Sequence, residues 1–449
     1  MPTKGKYKFF LLNLGCPKNL VDSENLSLEL MRMGLLSSPN PDQADFIIVN
    51  TCGFIEEARK MSLEYSKKLS SYGKKVIVFG CLPKRIGIEN VKRLVEADFV
   101  LKDKEDVVNL LSLNLQKNGS AKWRDLNLNQ KKSKSNLPPR LNTLSPFSAY
   151  VKLSEGCSRN CSFCSIPLIR GKIKSRSEDE ILNEIKYLSS EAGVREFILI
   201  SQDTTMWGVD LGKKREALFN LLDKISDIDG VEWIRLFYVY PDTFAEKLIE
   251  YISSNKKIVR YIEMPFQHAD DEILRAMGRA TGEATINKIM DKVMEMLPDL
   301  EIRTELIVGF PGETEEKFEK LLSFVEKYRF SWLGVFSFSP EFGTPAFDLW
   351  KKNPVSKRVV ERRKKELMSL WTKILLEKQK ERVGKVFRCI NQGDGKFRTY
   401  FQAPEIDGEV ILKKEDSVSF GSLEHSFYDI KILDFDGPDL IGEPIPSIR

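Results

Sequence analysis

The stretch Tyr150-Val151-Lys152-Leu153-Ser154-Glu155-Gly156-Cys157-Ser158-Arg159-Asn160-Cys161-Ser162-Phe163-Cys164 decides how the rest of the chain is read. A β-rich run, residues 150–153, passes straight into a loop with cysteines spaced C-x3-C-x2-C. Thiolates suit zinc or iron–sulfur centres, and three of them within eight residues can wrap one centre. A closed structural zinc site takes four ligands, whereas this loop supplies three, so one metal position is left open to a small molecule. The alternative is a zinc site completed by a distant residue, for which the sequence offers two histidines, His268 and His425.

Working outward toward the C-terminus, β-rich runs recur at residues 150–153, 197–200, 233–239, 261–264, 303–308 and 332–338, each followed by a helical pattern. Six strand–helix units predict an open, partial α/β barrel, smaller than the eight units of a complete one. Ligands in such folds sit at the carboxyl ends of the strands. Gln202 and Asp203 end the second run, His268 follows the fourth, and Val308 and Gly309 open the segment to Glu313 after the fifth. They are candidate cofactor-binding residues, against the plainer reading of capping or loop roles; His268 equally suits substrate orientation or a structural place. Phe336 and Phe338 alternate with serines and read as core.

Working outward toward the N-terminus, residues 1–115 alternate strand and helix patterns and predict a parallel sheet covered on both faces. Cys16, Cys52 and Cys81 each follow the carboxyl end of an expected strand, along one common edge where ligands bind and where three distant thiols can meet. The competing reading is three unrelated core cysteines. Residues 116–145 lose periodicity and read as a linker, with Lys131, Lys132, Lys134, Pro138 and Pro139. Residues 146–383 comprise the partial barrel and a basic helix. Residues 384–449 carry short β-runs and turns that predict a small antiparallel barrel, with Cys389 in its core.

The chain has 449 residues, 42% hydrophobic and 30% charged, which excludes a disordered polymer and a small stapled peptide. No window approaches the ~18 apolar residues of a membrane span and no secretory stretch precedes the first strand, so a cytoplasmic location is expected. Seven cysteines, an odd number, favour metal or redox chemistry over a disulfide framework.

The cysteine loop, its place after the first barrel strand and the aromatic Phe163 before the last cysteine resemble the radical S-adenosylmethionine (SAM) superfamily. The resemblance implies a 4Fe-4S cluster on Cys157, Cys161 and Cys164 whose open iron chelates SAM, with Phe163 beside it. When reduced, that cluster cleaves SAM to a 5′-deoxyadenosyl radical, which makes its three cysteines catalytic. Over essentially the whole chain, two three-cysteine sites followed by a small β-barrel of TRAM-like type resemble the methylthiotransferase family. Gly15-Cys16-Pro17-Lys18-Asn19 with Asp22-Ser23-Glu24, Asn50-Thr51-Cys52-Gly53-Phe54-Ile55, Ile166-Pro167 with Arg170-Gly171, Ile200-Ser201-Gln202-Asp203-Thr204-Thr205, Met264-Pro265-Phe266-Gln267-His268, Val308-Gly309-Phe310-Pro311-Gly312-Glu313 and Ala403-Pro404-Glu405-Ile406-Asp407-Gly408 resemble its branch that modifies an aspartate of small-subunit ribosomal protein S-twelve. The transfer-RNA branch usually carries glutamine after the first cysteine and Arg-Glu after the second, which this chain lacks. Lys174, where arginine is common, and Gln402, where aspartate is frequent, depart from the pattern.

The resemblance implies hydrogen removal from the β-carbon of the aspartate, sulfur supplied at a second 4Fe-4S cluster on Cys16, Cys52 and Cys81, and 3-methylthioaspartate as product. It also implies an external electron donor such as a flavodoxin or ferredoxin, and protein S-twelve as partner, free or within the small subunit. No membrane is involved, and direct RNA contact is allowed but not required. Charge favours the protein target. Residues 384–449 hold 8 basic and 12 acidic residues, a net of −4, whereas a domain gripping transfer RNA should be basic. Residues 351–383 hold 12 basic and 4 acidic, a net of +8, which suits either ribosomal RNA or a solvated helix face, the latter preferred. The rivals are the same chemistry on transfer-RNA adenosine, and a non-catalytic protein with two closed metal centres.

Overall fold

The computed structural model describes residues 7–115, 140–413 and 425–445; most of the expected linker lies outside them. The described residues form two compact units. The first takes the chain to Thr143 together with Gly156–Ser158 and Ser165–Ile173, and the second takes Leu144–Glu155, Arg159–Cys164 and everything from Lys174.

In the first unit, β1 (Lys8–Asn13), α1 (Pro17–Arg32), β2 (Leu36–Ser37), β3 (Phe46–Thr51), α2 (Glu56–Ser70), β4 (Lys75–Gly80), α3 (Cys81–Ile86), α4 (Ile88–Leu94), β5 (Phe99–Val100) and α5 (Lys104–Leu115) alternate as expected, with two short strands added. The sheet is parallel throughout, in the order β2-β1-β3-β4-β5. Its two-sided burial explains the unbroken apolar runs. Phe46, Ile48, Ile77 and Phe79 face one core with Leu26, Leu30 and Leu110. Ile47, Val49, Val76 and Val78 face the other with Leu69, Leu82 and Val91.

The second unit opens with β6 (Ser148–Lys152) and a short hairpin strand, β7 (Ser154–Glu155). Beyond the cysteine loop come α6 (Ile166–Arg170), which belongs to the first unit, then β8 (Lys174–Ser175), which pairs with β7. The sheet continues through α7 (Glu178–Ser190), β9 (Glu196–Ile200), α8 (Ala217–Ser226), β10 (Trp233–Leu236), α9 (Thr243–Ser254), β11 (Ile258–Glu263), α10 (Asp271–Ala276), α11 (Glu283–Met296), β12 (Glu301–Val308), α12 (Glu315–Tyr328) and β13 (Trp332–Ser337). Six parallel strands lie in simple sequential order, β6-β9-β10-β11-β12-β13, as an open sheet. One face packs on the helices through Phe197, Leu199, Ile234, Leu236, Ile262 and Leu306.

After α13 (Pro345–Lys352) and the basic helix α14 (Lys357–Arg382), the chain forms a closed five-stranded barrel from β14 (Val386–Gly393), β15 (Lys396–Thr399), β16 (Val410–Leu412), β17 (Phe427–Asp436) and β18 (Asp439–Pro444). Four of its pairings are antiparallel; β16 and β18 pair in parallel. Cys389 is buried in it.

The barrel seats on the amino ends of the large sheet's strands. Arg235 donates to Tyr400 O at 2.7 Å, Tyr261 donates its hydroxyl to Asp407 Oδ2 at 2.8 Å, and Arg303 pairs with Asp407 at 2.6 Å. The turn Ala403 to Gly408 therefore contributes a buried carboxylate, so part of the acidity counted in residues 384–449 is internal. Part of the basic helix is internal too. Arg363 and Arg382 are buried and pair with Glu313 and Glu301, while most of the other basic residues of 351–383 are exposed, in line with the preferred reading of a solvated face.

Candidate functional site

Within the first unit, β1, β3 and β4 are neighbours and end in register, Asn13 beside Asn50 and Thr51 beside Gly80. Cys16 lies three residues beyond β1, Cys52 directly follows β3, and Cys81 directly follows β4 as the first residue of α3. The common edge brings Cys16 and Cys81 together around Asn19, whose Oδ1 lies 3.7 Å from Cys16 Sγ and 3.8 Å from Cys81 Sγ, and sets Cys52 close enough to be repelled by both. Asn19 is fixed in turn by Asn50 Oδ1 at 3.1 Å and Thr51 O at 3.2 Å. The backbone is cramped here. Gly80 has φ +105°, and a Cβ on Gly53 would stand 2.5 Å from Cys81 O.

The electrostatics divide the three thiols. Burial pushes Cys52 up to about 11, with Cys16 and Cys81 adding repulsion, and burial also raises Cys81. Cys16 moves the other way, because Lys18, Arg170 and the backbone N–H groups of Asn19 and Lys18 outweigh its burial. Arg170 favours the thiolate at all three. Among the described residues, no three His, Cys, Asp or Glu side chains are arranged to hold a single metal ion. The donor set here is three thiols with cationic neighbours, which is the chemistry of an anionic iron–sulfur centre.

The cysteine loop follows β6 and β7. Gly156 takes φ +74°, and a Cβ there would run into the carbonyl oxygen of Lys172. Cys157 N–H donates to Gly171 O at 3.1 Å, and Ser165 Oγ donates to Phe54 O at 2.9 Å. In the second unit, Cys164 N–H donates to Cys161 O at 3.2 Å. Ser162 is tied down by Met277 O at 2.8 Å and Ala276 O at 2.7 Å, and Phe163 packs against the cluster of Ile273, Met277, Ile307 and Phe310.

The other expected residues lie at the carboxyl ends of the sheet strands. Gln202 Nε2 donates to Glu155 at 3.4 Å, and its Oε1 is buried without a hydrogen-bond donor. Asp203 caps the following turn through Thr205 N–H at 3.0 Å and holds Arg159 at 2.7 Å. His268 is fully buried; Nδ1 accepts from Asp270 N–H at 3.0 Å and Nε2 lies 3.3 Å from Glu313 Oε1. Val308 ends β12 and accepts from Phe338 N–H at 2.8 Å. Gly309, at φ +79°, donates to Glu313 at 2.5 Å and packs against Val360 of α14.

Several residues here carry no spacing signal in the sequence. Arg159 and Arg279 stack on Tyr240 with centroid distances of 3.8 and 4.3 Å, and Arg279 lies 4.0 Å from Cys161 Sγ. Arg363 of α14 donates to Glu313 at 2.9 Å. In the first unit, Arg170 lies 3.2 Å from Cys81 Sγ and also donates to Asn19 Oδ1.

A family model described as the Radical SAM superfamily matches residues 151–325, one described as Uncharacterized protein family UPF0004 matches residues 8–102, and one described as the TRAM domain matches residues 383–445. The radical SAM methyltransferase TsrM from Kitasatospora setae, solved with cobalamin and a 4Fe-4S cluster, shares the fold at a TM-score of 0.53 and 14% identity, over 76% of this chain and 77% of its own. Fold, cysteine loop and family match define the class, a radical SAM enzyme flanked by a parallel α/β domain and a TRAM barrel. Curated relatives narrow it further. The ribosomal protein uS12 methylthiotransferase RimO of Acetivibrio thermocellus is 40% identical over 98% of this chain and 99% of its own, and that of Aquifex aeolicus is 38% identical over 97% and 99%. The chain belongs to the RimO family of radical SAM methylthiotransferases. Among the described residues no helix is long and apolar enough to cross a membrane.

Proposed function

We propose that this chain inserts a methylthio group at the β-carbon of an aspartate of ribosomal protein uS12, in the cytoplasm, with electrons from a flavodoxin- or ferredoxin-like donor. The observation that carries this reading is the meeting of Cys16, Cys52 and Cys81 at one sheet edge, in a chain that also carries the Cys157, Cys161 and Cys164 loop. Each set supplies three thiolates to a 4Fe-4S cluster and leaves one iron for a further ligand. A cluster held by Cys157, Cys161 and Cys164 with SAM bound would supply the hydrogen-abstracting radical that an unactivated C–H bond demands, and a cluster held by Cys16, Cys52 and Cys81 would supply sulfur.

The protein's own part is binding and exclusion of water. Phe163 and its apolar neighbours give the radical site a dry wall. Gly309 brings bare backbone to the ligand edge, where any Cβ would collide with Val360, and Glu313 holds that turn through the Gly309 N–H. Gln202 offers a buried amide oxygen with no donor, suited to an ammonium or hydroxyl group of a bound ligand. Arg159, paired with Asp203 and Asp242, and Arg279, which donates to Pro265 O, stack on Tyr240 and stiffen the wall beside the cysteine loop.

The test is a reaction of the reconstituted enzyme with purified uS12 or with bulk transfer RNA, read by mass spectrometry of both. A methylthio group on a uS12 aspartate supports the reading; the group on transfer RNA alone overturns it.

A further inference from the structure

Arg170 is unexplained by anything the cysteine spacing requires. It ends α6, six residues along the chain from Cys164, yet its side chain is only 7% exposed and points into the other cysteine set. One guanidinium nitrogen lies 3.2 Å from Cys81 Sγ and donates to Asn19 Oδ1, the oxygen within 4 Å of both Cys16 and Cys81 sulfurs. The other terminal nitrogen lies 3.6 Å from Asp22. The segment is pinned independently, by the Cys157 N–H to Gly171 O and the Ser165 hydroxyl to Phe54 O. A guanidinium held this firmly among thiols does more than fill space, since hydrogen bonds and net charge near cluster sulfurs set the reduction potential.

We propose that Arg170 is a positioning residue for the cluster held by Cys16, Cys52 and Cys81: its charge raises that cluster's reduction potential, and its fork fixes Asn19 between two of the ligands. The inference rests on the two-cluster reading above. It assigns the segment just beyond the radical loop a second task, at the sulfur-supplying site. The physical reason is that reduction adds negative charge to the cluster, and a nearby fixed cation favours the more negative state. Arginine suits this better than lysine because it contacts the Cys81 sulfur and the Asn19 oxygen together and stays charged.

The experiment uses the full chain with Cys157, Cys161 and Cys164 all replaced by alanine, so that only the first cluster remains, and compares it with the same chain carrying Arg170→Gln or Arg170→Lys. Iron per chain and an EPR-monitored redox titration are the readouts. The proposal expects the Gln change to move the potential negative and the Lys change to recover most of the shift. Iron loss in the Gln form alone also supports a charge role. An unchanged potential with iron retained overturns the proposal, as does equal iron loss in both forms, which marks a packing role. If the parent chain holds no cluster, the two-cluster reading falls and takes this proposal with it.

Discussion

Arg398 of the closed barrel donates to the carboxylate of Glu196, the first residue of β9, and both side chains are buried. Arg235, from the neighbouring strand, donates to the same carboxylate at 2.9 Å. Each guanidinium also donates to a backbone carbonyl, Arg398 to Gln402 O and Arg235 to Tyr400 O, both at 2.7 Å. One carboxylate thus anchors the small barrel to the amino ends of the sheet and leaves the carboxyl ends to the cysteine loop.

Replacing that carboxylate leaves two cations buried without their counterion. Glu196→Gln should cost about 3–5 kcal/mol of stability, read as a lower denaturant midpoint for the full chain. An unchanged midpoint contradicts the anchor.

The same group predicts an acid dependence. Burial pushes Glu196 up, but Arg398 and Arg235 outweigh it and hold the carboxyl at about 2, below its ordinary 4.5. A depressed carboxyl contributes stability that is complete above its unfolded value and is lost as pH falls through its folded one. The stability gap between the parent and Glu196→Gln should therefore be constant above about pH 4.5 and shrink steadily toward pH 2. A gap independent of pH across that window contradicts the assignment.

Gly156 allows the cysteine loop to turn. A side chain there meets the Lys172 carbonyl, and the left-handed conformation costs a further ~1–2 kcal/mol for any other residue. Gly156→Ala should lose the cluster of the Cys157 loop and keep the other, so iron per chain falls by about half while the far-ultraviolet circular dichroism stays. Full iron content in the variant rules this out.

How much of this is readable from sequence depends on the range of the signal. The six sheet strands and the three edge cysteines show because each is a local pattern, an apolar run followed by a chemically distinctive residue. The strands β2 and β5 are two residues each, too short for any periodicity to register. The parallel pairing of β16 with β18 spans a segment that turn signals cannot describe, since those report only hairpins. Arg170, Arg363 and Glu196 act through contacts 50 to 202 residues apart, which no local pattern reports, and a single charged residue carries no spacing.

Glu313 ties together Gly309 N–H, His268 and Arg363. Glu313→Gln should loosen the Gly309 turn and raise the KM for SAM roughly tenfold, equivalent to about 1.4 kcal/mol, with a smaller change in kcat. Steady-state formation of 5′-deoxyadenosine at varied SAM checks this, and an unchanged KM would place the turn away from the ligand.

The most direct test of the central claim is intact-mass and fragment-ion spectrometry of uS12 from cells with and without this gene. The account predicts that one aspartate carries the added mass of a methylthio group only when the gene is present. A uS12 that is unmodified in both, or modified in both, contradicts it.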